Sequence, residues 1–160
     1  MNYKSYEMKL ISRILTLLIL VSATVYFSGC GKDGDEDKKT EKELQIDKLV
    51  GTWNAQAVTY DDDDMTADYE SFQIAFAKAS GDAMTFTTSG RPGKLTPWPA
   101  SGTFTFGTPV TSQLVRDDGV NIVYAVSANT LTLTMENYSG TGYNGRTETV
   151  AGDWEFTLTK

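Results

Sequence analysis

Leu131-Thr132-Leu133-Thr134-Met135 sets a large apolar side chain at every second position and threonine between them. A strand turns successive side chains to opposite faces, so this run has one apolar face and one wettable face. Trp154-Glu155-Phe156-Thr157-Leu158-Thr159 repeats the pattern, as do Thr103-Phe104-Thr105-Phe106, Met84-Thr85-Phe86-Thr87 and Phe72-Gln73-Ile74-Ala75-Phe76-Ala77. Threonine opposite phenylalanine, leucine or tryptophan suits a pleated, half-buried surface. Asn54 to Tyr60, Thr111 to Arg116 and Asn121 to Val126 are also strand-like, which makes eight segments.

The connections agree. Asp117-Asp118-Gly119 joins two strands, and an Asp-Gly pair supplies the positive φ angles of a tight hairpin. Ser80-Gly81-Asp82 and Ser127-Ala128-Asn129 mark two further turns, and residues 138–146 read as a loop before the last strand. Short strands, regular turns and no helical crossovers predict an all-β domain, an antiparallel barrel or sandwich. One short helix is expected ahead of it. Thr40-x-x-Glu43 is a capping box, followed by Leu44, Ile46 and Leu49, and predicts a helix over about residues 41–49.

The first thirty residues have a different character. Lys4, Lys9 and Arg13 face a single Glu7, and Ile14 to Phe27 carries no charge. Fourteen helical residues span about 21 Å, short of a bilayer core of roughly 30 Å. A basic start, a short apolar run and small residues at its end form the pattern of a secretory signal peptide. Phe27-Ser28-Gly29-Cys30 resembles the bacterial lipobox, whose cysteine becomes the lipidated first residue. Cys30 is the chain's only cysteine. The resemblance implies residues 1–29 as a lipoprotein signal peptide and Cys30 as the site of acylation. Several acyl chains anchor a protein stably where one is marginal.

Residues 30–47 carry seven acidic and four basic side chains and few apolar ones, the composition of a disordered tether. As a coil it would hold the domain roughly 20–25 Å from the membrane. Lys32-Asp33-Gly34-Asp35-Glu36-Asp37 resembles the export tract of Bacteroidota-type surface lipoproteins; read without that resemblance, it is a solvated linker. The address expected is the outer membrane, at the cell surface.

Lys48-Leu49-Val50-Gly51-Thr52-Trp53 looks like the opening of a lipocalin-like domain, where Gly-x-Trp begins the first strand. The blocks Trp98–Phe106 and Gly152–Leu158 look like small bacterial lipoproteins of that group. The resemblance covers residues 48–160 and implies an eight-stranded antiparallel barrel. In true lipocalins an arginine near the last strand packs over the first-strand tryptophan; here the last strand ends on Lys160.

Composition limits the chemistry. Among 160 residues there is no histidine, which excludes Ser-His-Asp and Cys-His machinery and histidine-ligated metals. A net charge of −7 argues against nucleic acid. No residue spacing marks a catalytic carboxylate pair, and no cofactor or metal is implied. Asp61-Asp62-Asp63-Asp64 is dense enough in oxygen for calcium, but Met65 and the lack of a glycine break the loop pattern, which favours a solvated turn.

Two binding modes remain. A small lipophilic molecule inside the barrel would touch Trp53, Phe86, Phe104, Leu133 and Trp154, provided the interior is hollow rather than filled. A carbohydrate or protein would instead meet the loop aromatics Trp98, Tyr138 and Tyr143. Trp98 lies between Pro97 and Pro99, which stiffen it either as a stacking platform or as a plug for the barrel end.

Overall fold

A computed structural model describes residues 38–93, 96–140 and 150–160. The predicted signal peptide, Cys30, the tether through residue 37 and Tyr143 lie outside the described residues. The chain from Lys39 onward forms one compact unit. Its elements are α1 (Glu41–Leu49), then β1 (Gly51–Tyr60), β2 (Asp63–Asp64) and a 3₁₀ turn (Thr66–Tyr69), then β3 (Gln73–Lys78), β4 (Met84–Ser89), β5 (Ser101–Phe106), β6 (Gln113–Arg116), β7 (Asn121–Val126), β8 (Thr130–Tyr138) and β9 (Gly152–Thr159).

Neighbouring strands pair antiparallel in the order β2-β1-β3-β4-β5-β6-β7-β8-β9, and β1 also pairs with β9. That last ladder closes an eight-stranded barrel, with the two-residue β2 as an appendage. The expected fold class is therefore present, and closure leaves no long strand edge exposed. All eight expected strand segments are found. The Asp61–Asp64 run adds the short β2 hairpin, with positive φ at Asp61 (48°) and Asp62 (67°).

Two bulges explain how strands with broken alternation still face inward. In β1, residues 51–54 pair with β3 and residues 54–60 with β9, and the register shifts between Ala55 and Ala57. The extra residue changes the parity of the buried face from Trp53 to Val58. In β8 the register with β9 shifts between Met135 and Tyr138, with Asn137 at φ 51°. Leu131, Leu133 and Met135 face inward before it, and Tyr138 after it.

The helix is capped as expected. Thr40 Oγ1 accepts from the Glu43 amide, and the Thr40 amide donates to the Glu43 carboxylate at 2.8 Å. These bonds hold the Glu43 carboxyl below the usual range. Ile46 and Leu49 are fully buried in the barrel core. The compact unit thus includes α1, and the C-terminal part of the expected tether, from Lys39 onward, is a lid over one barrel mouth. We call this mouth the α1 end. It also carries the β3–β4 and β7–β8 turns and Lys160, while the opposite end carries residues 61–72, 90–93, 96–100 and 117–120.

Lys160 closes the α1 end. Its ammonium lies 4.3 Å from the Trp53 ring centroid and donates to the carbonyls of Lys48 (3.0 Å) and Val50 (2.9 Å). A cation does stand over the first-strand tryptophan, supplied by the chain's last strand. Each terminal tryptophan also donates its indole N–H four residues back: Trp53 to Leu49 at 2.8 Å, Trp154 to Val150 at 3.0 Å.

Candidate functional site

The residues predicted to touch a ligand inside the barrel are brought together. Trp53, Phe86, Phe104, Leu133 and Trp154 are all at or below 1 % exposure. All five belong to one hydrophobic core, in which Phe86, Phe104 and Trp154 are part of a continuous packing of rings. Phe86 stacks on Phe104 at 4.6 Å, and Trp154 on Phe156 at 5.9 Å. Tyr69, from the 3₁₀ turn, meets Phe72, Trp154 and Phe156 at 5.2–6.0 Å. Burial pushes its phenol well above the ordinary tyrosine range. These separations are those of directly touching aromatic pairs.

Trp98 is part of this packing. Of the two readings of Trp98, the structure gives the barrel-end plug and corrects the exposed stacking platform: Trp98 is 0 % exposed and its suggested partner Tyr138 4 %. Trp98 inserts among Phe72, Phe86, Phe104 and Phe156, with centroids 5.7–6.4 Å away. Its flanking prolines explain why it can be buried. Pro97 and Pro99 have no N–H to strand in an apolar site, so only carbonyls need partners. Three consecutive carbonyls receive them: Pro97 from Arg116 Nη1 (2.8 Å), Trp98 from Arg91 Nη1 (3.2 Å) and Pro99 from Thr88 Oγ1 (2.6 Å). The Trp98 indole N–H alone has no hydrogen-bond partner, and the ring stands edge-to-face against Phe86, Phe104 and Phe156. The turn into this strap demands Gly90 (φ 62°), because a Cβ there would lie 1.9 Å from the Ser71 carbonyl oxygen.

Arg116 is the residue that sequence reasoning missed. Its side chain is fully buried and forms a two-point pair with Asp118, Nε to Oδ1 and Nη2 to Oδ2, both 2.8 Å. Its guanidinium lies 5.5 Å from the Trp98 ring centroid and 5.7 Å from that of Tyr138. One cation therefore fastens the strap, the β6–β7 hairpin and the bulged end of β8. Nothing in Gln113-Leu114-Val115-Arg116 signals this, since Pro97, Trp98 and Tyr138 come from segments distant in sequence and only Asp118 is local.

Beside this fastening runs a groove of about 470 Å³ between the β6–β7 hairpin and the end of β8. Asp118, Asn121, Glu136, Asn137 and Ser139 give it hydrogen-bonding groups, Val120 contributes apolar surface, and the buried Met135 and Tyr138 back it from the core. The bulge shapes it: the Asn137 amide donates to Asp153 Oδ1 at 2.6 Å, and Asp153 in turn donates its amide to Asp61 Oδ1 at 2.7 Å. Gly140 completes the wall, since a Cβ there would meet the Tyr138 hydroxyl at 2.2 Å.

Two carboxylates of the Asp61–Asp64 run accept from the backbone. Asp61 accepts from the Asp153 amide, and the Thr66 hydroxyl together with the Thr66 amide, at 2.9 Å, lowers the Asp64 pKa. Among the described residues no three acidic or sulfur-bearing side chains converge to hold a metal ion.

Comparison with protein-family models, with curated proteins and with solved structures finds no match.

Proposed function

We propose that this chain is a lipid-anchored lipoprotein of the outer membrane, displayed at the cell surface. Its lipocalin-like barrel is a non-enzymatic module that takes a polar, hydroxyl-rich ligand at the rim rather than a lipophile inside. The observation that carries this reading is the groove of about 470 Å³ beside a ring-packed interior. Asn side chains donate to and accept from vicinal hydroxyls and carboxylates accept from them, as a glycan requires, and the groove supplies both types. A lipophile in the lumen would have to displace Trp98 and the three carbonyl bonds that seat its strap. The anchor is supported by the placement of the only cysteine, Cys30, after Phe27-Ser28-Gly29.

The test is a binding comparison on one sample. Soluble surface polysaccharide fragments should bind wild type and lose affinity in Asn121→Ala and Ser139→Ala. A fluorescent fatty acid should not bind. Fatty-acid binding with no glycan response would overturn the rim reading. Separately, Cys30→Ser should move the protein out of the membrane fraction, and unchanged retention would remove the anchor.

A further inference from the structure

Charge is segregated along the barrel axis. Every described lysine of the compact unit is at the α1 end: Lys39, Lys42, Lys48, Lys78 and Lys160. Their positions there are fixed by contacts. Lys42 pairs with Asp82 of the β3–β4 turn at 2.9 Å, Lys39 pairs with Asp47, and Lys160 is bonded to the α1–β1 junction. These lysines are interleaved with only Glu41, Glu43, Asp47 and Asp82. The opposite end carries the Asp61–Asp64 run, Asp68, Glu70, Asp117, Asp118, Glu136 and Asp153 against Arg91 and the buried Arg116.

Exposed apolar surface falls at the lysine end too. Three large hydrophobic side chains are exposed among the described residues, and two are Leu44 (48 %), on the outer face of α1, and Val50 (37 %), at its end. Leucine and valine between lysines, on a helix lying across the mouth of a barrel, form the composition of a face that rests in a headgroup layer.

From these observations we infer that the α1 end docks on an anionic lipid headgroup surface, so that the barrel stands upright on its membrane with the rim groove facing away. This inference rests on the anchoring proposed above. Both ends act in the same sense: the lysines are attracted to the surface and the acidic end is repelled from it. Covalent length permits it. Eight residues separate Cys30 from Lys38, a reach of at most about 29 Å, so the anchored chain stays close to the surface. At that proximity a weak contact suffices, because tethering turns docking into an intramolecular event.

The test uses the chain from residue 30 onward, which contains the whole described fold, coupled through Cys30 to a maleimide lipid. It is placed in nanodiscs of phosphatidylcholine, with or without phosphatidylglycerol, that carry a gadolinium-chelate lipid. Paramagnetic relaxation is read at the amides of α1 and of the Asp117–Gly119 turn. With phosphatidylglycerol the α1 amides should relax several-fold faster than the turn amides. The ratio should fall toward the phosphatidylcholine value in the double variant Lys48→Glu, Lys78→Glu. A ratio that is the same in both lipids, or indifferent to the lysine reversals, overturns the inference. In the second case the lysines serve another occupant, such as the chain's own carboxylates at 33–37. Because the attachment is chemical, failure here is independent of whether Cys30 is acylated in the cell, which the Cys30→Ser fractionation reads.

Discussion

Arg116 offers a quantitative test of how the barrel end is closed. Replacing it by alanine removes the two-point pair with Asp118, the bond to the Pro97 carbonyl and the cation over Trp98 and Tyr138. Asp118 keeps about a third of its side chain in water, so it recovers part of its solvation. The Pro97 carbonyl loses a donor, which costs about 1–3 kcal/mol when the group stays buried. The void left by a fully buried arginine stem and the lost cation–ring contacts add about 2 kcal/mol. The total expected for Arg116→Ala is about 3–5 kcal/mol. Asp118→Ala removes that carboxylate from a buried guanidinium and should cost about 2–4 kcal/mol, reduced from the fully buried case because water reaches that side. Arg116→Met keeps most of the volume but leaves Asp118 and the Pro97 carbonyl as Arg116→Ala does, so it should cost less than Arg116→Ala by the part due to the void. Urea unfolding followed by tryptophan fluorescence measures all three, with an unchanged slope showing that the transition itself is the same. Losses under about 0.5 kcal/mol for both Arg116→Ala and Asp118→Ala would refute the fastening role.

Other consequences follow from the same contacts. Trp98→Phe removes an indole N–H that has no partner and should cost about 1 kcal/mol or less, whereas Trp98→Ala should cost about 3–5 kcal/mol in the same urea assay. Lys160→Met should lose about 1–2 kcal/mol through two carbonyls and one cation–ring contact, and amide exchange at the α1–β1 junction should accelerate. Thr40→Ala should destabilise by about 0.5–2 kcal/mol and raise the Glu43 pKa, read by NMR titration. At alkaline pH the sign is also fixed. Burial raises the Tyr124 pKa from 10.0 to about 12, and raises that of Tyr69 as well, so the folded state keeps protons that the unfolded chain releases. Stability is full below pH 10 and falls as pH rises from there through the folded-state values; Tyr69→Phe should flatten that decline.

The strands were legible because period-two alternation with threonine is a local signal and each strand has one wet face. The hairpin at Asp117-Asp118-Gly119 was legible for the same reason, with Gly119 at φ 87°. The bulges in β1 and β8 were not, because a change of parity is visible only once the partner strand fixes the register. The helix was legible from its capping box, but its burial was not: a mean composition rich in Glu and Lys hides Ile46 and Leu49, three residues apart on one face. Trp98 was legible as a stiffened residue between prolines. Its direction was not, since that depends on Arg116, Arg91 and Thr88 supplying donors to three carbonyls. The groove follows from Asn137 and the hairpin coming together, a juxtaposition that neither segment announces.

The central claim is that ligand engagement occurs at the rim of a barrel whose interior is packed. The most direct measurement is a ¹⁵N–¹H NMR titration of the chain from residue 30 onward with surface polysaccharide fragments. The account predicts shifts concentrated at residues 118–121 and 136–140, with the amides of Trp53, Phe86 and Phe104 unmoved. Shifts spread through the interior strands on adding a fatty acid, with the rim silent to glycan, would contradict it.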